Sequence, residues 1–348
     1  MAQTASLSDP AKLSLRAQRA LKLLQPLGIA AVRAAIGDTG AVTERLNANG
    51  SPAAQPDVVN RSLEIGRSVL DNLNTEGPDV MDLEKVMGLE SIVLTVGRPA
   101  LLIRSGHFDP PPDTWTVLEG RRAAIEGLFR SVGRIELDGH PSLQWVGTGF
   151  MVAPGVLATN RHVVQEFGRQ SSGGKWQIDP GISARVDFAE EVDTVQPNEH
   201  SVIEIIGVHT VLDVALLRVD VSQSVAPALR LDGGNLALGR GKLGFVVGYP
   251  ALDSRRNDPV TMQTIFANIY DVKRLQPGLL TDWSIAQRAY LHDCSTLGGN
   301  SGSCLVDLES GVVSGIHFGG RYLESNWAVS TRDLASDGYL VRLGAQFV

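Results

Sequence analysis

The spacing of apolar residues changes along the chain from a helical period to a strand-like one. Five apolar residues three or four positions apart predict a first amphipathic helix: Leu13, Ala17, Ala20, Leu21 and Leu24. Pro26 should kink or end this helix, because proline cannot donate the backbone hydrogen bond that a helix interior requires. Small apolar residues over 27–36 continue the pattern, and residues 58–73 predict a second helix.

The pattern over residues 79–128 indicates both β-strands and a helix. Two short apolar runs, 91–96 and 100–104, flank Gly97-Arg98-Pro99 and predict a β-hairpin. Three prolines at 110–112 then break the chain, and residues 113–128 predict a further helix with Asp113 as its N-cap. This segment belongs either to the helical region before it or to the surface of the domain after it.

From Phe129 onward, the apolar residues fall in short runs separated by glycine-rich turns, as is typical of β-strands. The runs predict strands at residues 132–137, 145–152, 155–159, 201–208, 214–219, 242–249, 311–318 and 326–329. Residues 333–347 predict a C-terminal helix or an extended tail. Many short strands at this spacing predict a mainly β domain, a barrel or a sandwich, over residues 129–348. Residues 1–128 then form a mostly helical N-terminal extension.

Composition narrows the setting of the protein. The chain has 348 residues, of which 43% are hydrophobic and 20% charged, with a net charge of −7. This acidic balance gives no reason to expect nucleic acid or an anionic membrane as a partner. No apolar run approaches the ~18 residues of a membrane-spanning helix, and the first residues lack the pattern of a secretory signal. With just two cysteines, Cys294 and Cys304, these features predict a reducing, cytoplasmic setting. The two cysteines flank Ser301 and are either paired with each other or, as we expect, reduced and packed.

One glycine-rich loop carries the candidate nucleophile. Residues 294–304 read C-S-T-L-G-G-N-S-G-S-C and place Ser301 beside glycine, where its hydroxyl has little steric cover. Gly299 lets the backbone turn so that its own N–H and that of Ser301 point at one spot, as an oxyanion hole requires. The same composition also occurs in ordinary loops, so the loop alone leaves both interpretations open.

Two further motifs supply the groups that a serine nucleophile needs. A serine hydroxyl requires an adjacent base, and a histidine serves when a carboxylate fixes its tautomer. His162 stands in T-N-R-H-V and Asp213 in D-V-A-L-L, each next to a predicted strand. The order His162, Asp213, Ser301 is the chymotrypsin order. Asp187 is the rival carboxylate, and we expect it instead to cap a turn or face solvent.

The segments T-N-R-H-V, D-V-A-L-L and G-N-S-G-S resemble the three signature segments of the trypsin-like serine peptidases. They are most similar to the bacterial glutamyl endopeptidase-like branch, and the resemblance covers about residues 129–348. It implies two six-stranded antiparallel β-barrels with a His162–Asp213–Ser301 triad between them. It also implies an oxyanion hole from the amides of Gly299 and Ser301, and endopeptidase activity on protein or peptide substrates.

The resemblance further implies a primary specificity pocket, walled by residues 294–298 and 315–320. Ser295 falls where trypsin carries the Asp that selects basic side chains. Thr296 and His317 fall where glutamyl endopeptidases grip the substrate carboxylate, and Gly319 completes the expected substrate-binding set. We therefore expect cleavage after Glu, with Asp weaker. The alternative is a small or relaxed pocket in which His317 is only a strand histidine.

One departure concerns activation. Asn300 stands where trypsin has the Asp that pairs with a newly cut N-terminal amine, so we expect the trypsin activation switch to be absent. Restraint could then come from the N-terminal helices, which either dock a regulatory protein, shield the cleft, or only stabilise the barrels. Regulated bacterial proteases provide an analogy for such a role at the level of the fold.

Other functions and groups were weighed against this prediction. A catalytically silent binding module of the same fold, or an esterase using the same triad, would fit part of the pattern. Fluorophosphonate labelling of Ser301 and a comparison of peptide with ester turnover separate these alternatives. No H-E-x-x-H or C-x-x-C spacing occurs in the sequence, so neither a metal nor another cofactor is expected.

Overall fold

The computed structural model describes residues 9–37, 56–72, 81–220, 226–252, 266, 269–321, 324–336 and 338–348. Its N-terminal part is a layer of helices, as the apolar periodicity predicts. The helices are α1 (Pro10–Leu24), α2 (Ile29–Ile36), α3 (Pro56–Asp71) and α4 (Leu83–Ile92). Asp9 caps α1 by accepting a hydrogen bond from the amide of Ala11 at 3.0 Å. A 3-10 turn that contains Pro26 separates α1 from α2. No helix in the described part of the chain is long and apolar enough to cross a bilayer.

The apolar stripes of these helices pack against one another within the chain. The stripe of α1 and those of α3 and α4 are buried in one apolar core. The backbones of α3 and α4 come unusually close, because a Cβ atom on Gly66 would lie 2.4 Å from the carbonyl oxygen of Gly88. The helices therefore cover their own apolar faces.

The predicted hairpin lies further along the chain than the sequence indicates. Residues 91–96 end α4 and then form a π-helical turn, Val93–Gly97, so the strand prediction for this run was wrong. The hairpin instead joins β1 (Leu101–Arg104) to β2 (His107–Phe108) through Ser105-Gly106. Residues 91–94 are buried without alternation, and such a run does not distinguish a buried helical turn from a buried strand.

The segment between the hairpin and the first barrel is helical, with a kink. A 3-10 helix, Asp113–Arg121, is followed by α5 (Arg122–Phe129). Pro112, with extended backbone, occupies the N-cap, so the assignment of Asp113 as the cap was wrong. Asp113 lies in the first turn, where a negative charge still suits the helix dipole.

Six antiparallel strands close the first barrel, in the order β10-β5-β4-β3-β8-β9. They are β3 (Val132–Asp138), β4 (Trp145–Ala153), β5 (Val156–Thr159), β8 (Ser183–Asp187), β9 (Glu199–Val208) and β10 (Ala215–Val219). A short helix, α6 (Arg161–Val164), follows β5. The ribbon of β6 (Gly168–Gln170) and β7 (Trp176–Ile178) lies outside the barrel order.

A second six-stranded antiparallel barrel closes through the pairing of β11 with β12, in the order β11-β14-β15-β16-β13-β12. Its strands are β11 (Leu243–Gly248), β12 (Arg274–Ser284), β13 (Ala289–His292), β14 (Cys304–Asp307), β15 (Val313–Arg321) and β16 (Ser325–Ser330). The last helix, α7 (Thr331–Ser336), begins slightly earlier than predicted. The expected fold, two antiparallel β-barrels preceded by helices, is confirmed.

The extension is joined to the second barrel by β-pairing. Strand β1 pairs with β12, with Leu101 opposite Leu275 and Leu102 opposite Arg274. The guanidinium of Arg274 is buried and donates to the carbonyl oxygen of Ala100 at 2.5 Å. The division of the chain after residue 128 stays a prediction, but the hairpin before it shares a sheet with the barrel after it.

Candidate active site

His162 and Asp213 meet at one end of the first barrel. His162 lies in α6, directly after β5, and Asp213 lies just before β10, which pairs with β5. Oδ2 of Asp213 is 2.6 Å from Nδ1 of His162, and Oδ1 accepts the backbone amide of His162 at 3.0 Å. Asn160 donates to the carbonyl oxygen of Asp213 at 2.8 Å and fixes this turn. The contact assigns the proton to Nδ1, which leaves Nε2 of His162 as the basic nitrogen.

The electrostatics keep Asp213 ionised. Burial raises its pKa, but the hydrogen bonds and charge of His162 outweigh that effect, and the nearby charge of Arg161 acts in the same direction. The net result is a pKa of Asp213 below the ordinary value. A carboxylate that stays charged can both orient the imidazole and stabilise the imidazolium.

Ser301 and His162 both line one cavity of about 440 Å³. Hydrogen bonds from both barrels hold the loop that contains Ser301. The amide of Thr148 in the first barrel donates to the carbonyl oxygen of Ser301 at 2.8 Å. The amide of Gly302 donates to the carbonyl oxygen of His317 in the second barrel at 2.8 Å. Among the described residues, the Ser301 hydroxyl makes no hydrogen bond, so its contact with His162 is not closed here. Such contacts are often loose in an enzyme without substrate and tighten when substrate binds.

A glycine turn precedes Ser301, next to two backbone amides that make no hydrogen bond within the described residues. Gly299 has a φ of 84°, and a Cβ atom there would lie 2.3 Å from the carbonyl oxygen of Tyr249, so only glycine fits. The carbonyl of Gly298 accepts from the amide of Ala251 at 2.7 Å, and that of Gly299 accepts from Oγ1 of Thr148 at 2.8 Å. Within the described part of the chain, the Gly299 and Ser301 amides donate to no other group. Two amides without partners beside the candidate nucleophile are available as donors to a substrate oxygen.

The expected substrate-binding residues line the same cavity. Ser295, Thr296, His317 and Gly319 all contribute to its wall. Nδ1 of His317 lies 3.1 Å from Nε2 of His292, and both rings are buried. Burial, with a smaller contribution from the charge of His162, lowers the pKa of His317 to about 3. Burial and the neighbouring His317 lower the pKa of His292 well below its ordinary value, so both rings are neutral at pH 7.

Four cavity residues from the N-terminal extension were missed by the sequence analysis. Leu23, Val93, Leu94 and Arg98 line the cavity together with Ser301. One signal was available: Arg98 is the single charged residue in the otherwise uncharged stretch 91–103. A charge in such a run must find a partner when the run is buried, but the sequence does not show which partner.

Asp187, the rival carboxylate, belongs to a turn of the first barrel. It is 1% exposed, and its Oδ1 accepts from the amides of Ala189 and Asn198 at 2.7 and 3.0 Å. It therefore caps a turn, which is the first of the two roles expected for it, and it is buried because its carboxylate satisfies those amides. Glu136 and Glu190 bring carboxylate oxygens within 4.8 Å of it.

Guanidinium groups match this acidic cluster. Arg134 lies 2.5 Å from Oε1 of Glu136 and 3.3 Å from Glu190, and Arg185 lies 2.8 Å from Oε2 of Glu136. These two guanidinium groups offset part of the negative charge of the three carboxylates.

The two cysteines flank Ser301 but do not bond to each other. Cys294 and Cys304 are free and buried. Burial raises the pKa of both thiols, that of Cys304 to about 12. Because the thiolate is the reactive form, these thiols are inert packing groups.

Comparison with known proteins agrees with this geometry. Residues 147–316 match the model of the trypsin-like peptidase domain. A probable serine protease of Lysobacter enzymogenes is 27% identical over 306 residues, which are 77% of this chain and 78% of that protein.

Two solved structures are also similar. Deg5 is 18% identical, with a TM-score of 0.46, over 65% of this chain and 96% of that one. The active form of the Rv3671c protease of M. tuberculosis is 20% identical, with a TM-score of 0.43, over 67% and 88%. At these scores, the two structural likenesses add no weight to the assignment.

The chain therefore contains a trypsin-like peptidase domain, with its cavity between two β-barrels. It is a serine endopeptidase, a hydrolase that acts on protein substrates.

Proposed function

We propose that Ser301 is the nucleophile of this endopeptidase, His162 its general base and acid, and Asp213 the group that orients His162. One observation carries the assignment: the His162–Asp213 pair, joined at 2.6 Å, lines the same cavity as Ser301. The oxyanion donors are the Gly299 and Ser301 amides, which make no other hydrogen bond among the described residues.

These roles define the reaction. The Ser301 hydroxyl oxygen attacks the scissile carbonyl carbon while its proton passes to Nε2 of His162, and the oxyanion forms beside the two amides. The C–N bond then breaks, and His162 returns the proton to the leaving amine. A water molecule, activated by the same nitrogen, hydrolyses the acyl-enzyme and restores Ser301.

A fluorophosphonate probe and a protein substrate test the assignment together. The wild-type chain should be labelled at Ser301 and should cleave casein, whereas Ser301→Ala should do neither while keeping the same melting temperature. Labelling at another serine, or cleavage by Ser301→Ala, would contradict it.

The substrate preference follows from the tautomers of the two buried histidines. Nδ1 of His292 has no hydrogen-bond partner in the described structure, and an unpaired buried N–H is costlier than an unpaired acceptor. His292 therefore carries its proton on Nε2 and donates to Nδ1 of His317. The proton of neutral His317 is then on Nε2, where it can be donated to a substrate in the cavity.

A fixed hydrogen-bond donor on His317 supports a preference for Glu before the scissile bond, with Asp weaker. Thr296 adds a hydroxyl to the same wall, and Ser295 carries no charge that would attract Lys or Arg. The shorter Asp side chain would reach His317 less well. A peptide-library profile of the residue before the cut tests the preference, and a majority of Arg, Lys or bulky apolar residues would contradict it.

The setting and restraint of the enzyme are part of the proposal. Two free, buried cysteines favour the cytoplasm of a bacterium, and fractionation of cells that express a tagged chain tests this localisation.

The extension is the proposed means of restraint, since Leu23 of α1 lines the cavity. A regulatory protein would have to bind a polar face of these helices, because their apolar stripes are already covered. Crosslinking of the tagged chain in cells, followed by mapping of the crosslinked residues, tests for such a partner.

A further inference from the structure

Arg98 is the charged residue through which the N-terminal extension reaches the substrate cavity. It follows the π-helical turn Val93–Gly97, and its side chain is 1% exposed. A guanidinium so deeply buried requires a partner, because an isolated buried charge is very costly. Its partner is Asp293: Nε lies 2.6 Å from Oδ1, and Nη2 lies 2.7 Å from Oδ2. Such a two-pronged contact fixes geometry as well as charge.

Asp293 opens the segment that forms the cavity wall and leads to the nucleophile. It follows β13, lines the cavity, and stands eight residues before Ser301 (301 − 293 = 8). Its Oδ1 also accepts from the amide of Leu279 at 2.7 Å. A Cβ atom on Gly278 would lie 2.8 Å from this oxygen, so the glycine permits the approach. Both carboxylate oxygens are thus engaged by Arg98, and one of them also by the backbone.

A second contact ties Arg98 to the same segment. Oγ of Ser295 donates to the carbonyl oxygen of Arg98 at 2.6 Å. The side chain of Arg98 is also held within the extension. Its Nη1 and the indole N–H of Trp115 both donate to the carbonyl oxygen of Gly97, at 2.6 and 3.0 Å. The extension therefore holds residues 293–295 at two points.

We propose that Arg98 is a specificity-determining and positioning residue of the peptidase. By neutralising Asp293, it prevents a carboxylate in the cavity wall from attracting a basic substrate side chain. By holding residues 293–295, it positions the segment that ends at the Gly299 and Ser301 amides. This inference rests on the catalytic roles proposed above, because those roles make the cavity a substrate site.

Two variants separate the two effects. Arg98→Met leaves the Asp293 carboxylate without its counter-charge, so kcat/KM for peptides with Lys or Arg before the cut should rise at least about tenfold, as an opposite charge in a pocket predicts. Arg98→Met/Asp293→Asn removes both charges and should gain no basic preference. Its kcat should fall about 100-fold, because loss of placement near the reacting atoms costs that much.

Arg16 provides the matched control. It makes the same two-pronged contact with a buried carboxylate of the extension, at 2.9 and 2.7 Å from Glu90, and is not among the residues that line the cavity. Arg16→Met should lower the melting temperature but leave kcat and the cleavage profile unchanged. For each chain we would measure kcat, KM, the peptide-library profile and the melting temperature.

The outcomes decide the proposal. A folded Arg98→Met with the wild-type profile would overturn the neutralising role, and a folded double variant with kcat within about threefold of wild type would overturn the positioning role. If neither variant folds, Arg98→Lys replaces them: it keeps the charge without the two-pronged contact, and should lose about tenfold in kcat with an unchanged profile. Unchanged kcat would then overturn the proposal. Activity in the Ser301→Ala chain would instead contradict the proposed catalytic roles. If the peptide-library profile of the wild-type chain shows no preference for Glu before the cut, only the proposed substrate preference is contradicted.

Discussion

The side chain immediately before the nucleophile is anchored by a neutral hydrogen bond: Nε2 of Gln276 donates to Oδ1 of Asn300 at 2.9 Å, and both residues are fully buried. The loop that carries Ser301 is thus tied to β12 without any charge. An amide at position 300 accepts this neutral hydrogen bond, whereas a carboxylate there would need a cation as its partner.

The first prediction concerns this anchor. Asn300→Asp would bury a carboxylate next to Gln276 with no cation in contact, and an unpaired buried charge costs roughly 3–5 kcal/mol. We expect a loss of that order in the free energy of unfolding, measured by urea denaturation at pH 7. Because the charge can be relieved by displacing the loop, kcat should fall as well. Equal stability of Asn300→Asp and wild type would show that position 300 reaches a cation or solvent.

The second prediction concerns the catalytic unit. Ser301→Ala and His162→Ala should each lower kcat by on the order of 10⁴-fold or more, and the double variant should be little worse than either single one, because the residues act together. Asp213→Asn should also lower kcat strongly, since it favours the wrong tautomer of His162. Steady-state hydrolysis of one peptide by all four chains checks this. Additive losses in the double variant would mean that the two residues act independently.

The third prediction concerns the donor in the pocket. His317→Ala removes the only imidazole N–H that we assign to the substrate carboxylate, so kcat/KM for Glu peptides should fall by about 100-fold, the scale of a lost hydrogen bond to a charged group. Peptides with an uncharged residue before the cut should be affected much less. His200→Ala is the control, because His200 is a buried histidine of the first barrel that bonds Asp220 and Asn198 instead. Equal losses for Glu and uncharged peptides would remove His317 from the specificity site.

The fourth prediction concerns acid stability. In the folded chain, burial keeps the pKa values of His292 and His317 far below those of the unfolded chain, near 6.5. Between about pH 3 and pH 6.5, the unfolded state therefore binds more protons, so stability falls as the pH drops through this range. From pH 7 to pH 5.5, the titration of each of these two histidines should lower the free energy of unfolding by roughly 1 kcal/mol.

Urea unfolding at the two pH values measures this loss. His317→Asn should show a smaller pH dependence than wild type, because one of the two titrating rings is gone. The same pH dependence in both chains would mean that the rings are protonated, or accessible to solvent, in the folded state.

Local motifs were sufficient to identify the residues that we propose for catalysis. His162, Asp213 and Ser301 each stand at the end or the start of a strand within a short recognisable segment, so their types and order were visible in the sequence. The cavity wall at residues 294–298 is the chain next to the nucleophile, and its position follows from that of Ser301. The catalytic assignments themselves await the experiments above.

Long-range contacts account for what the sequence did not show. Arg98 and Asp293 are 195 residues apart, and no local period connects them. The hairpin at residues 101–108 is selected by its pairing with β12, a tertiary contact that overrides the local apolar pattern of residues 91–96. His292 gave no signal of its own, because its role depends on a ring that belongs to another strand.

The pairing of β1 with β12 also sets when the enzyme can first become active. Leu101 cannot form its strand pairing until Leu275 has been synthesised, 174 residues later (275 − 101 = 174). Ser301 is synthesised after Leu275. Contacts this distant in sequence form late in folding, because the entropy of loop closure must be met first. During synthesis, therefore, helices α1–α4 are made long before the pocket that they help to wall. That pocket is complete only after β12 has been made and has paired with β1.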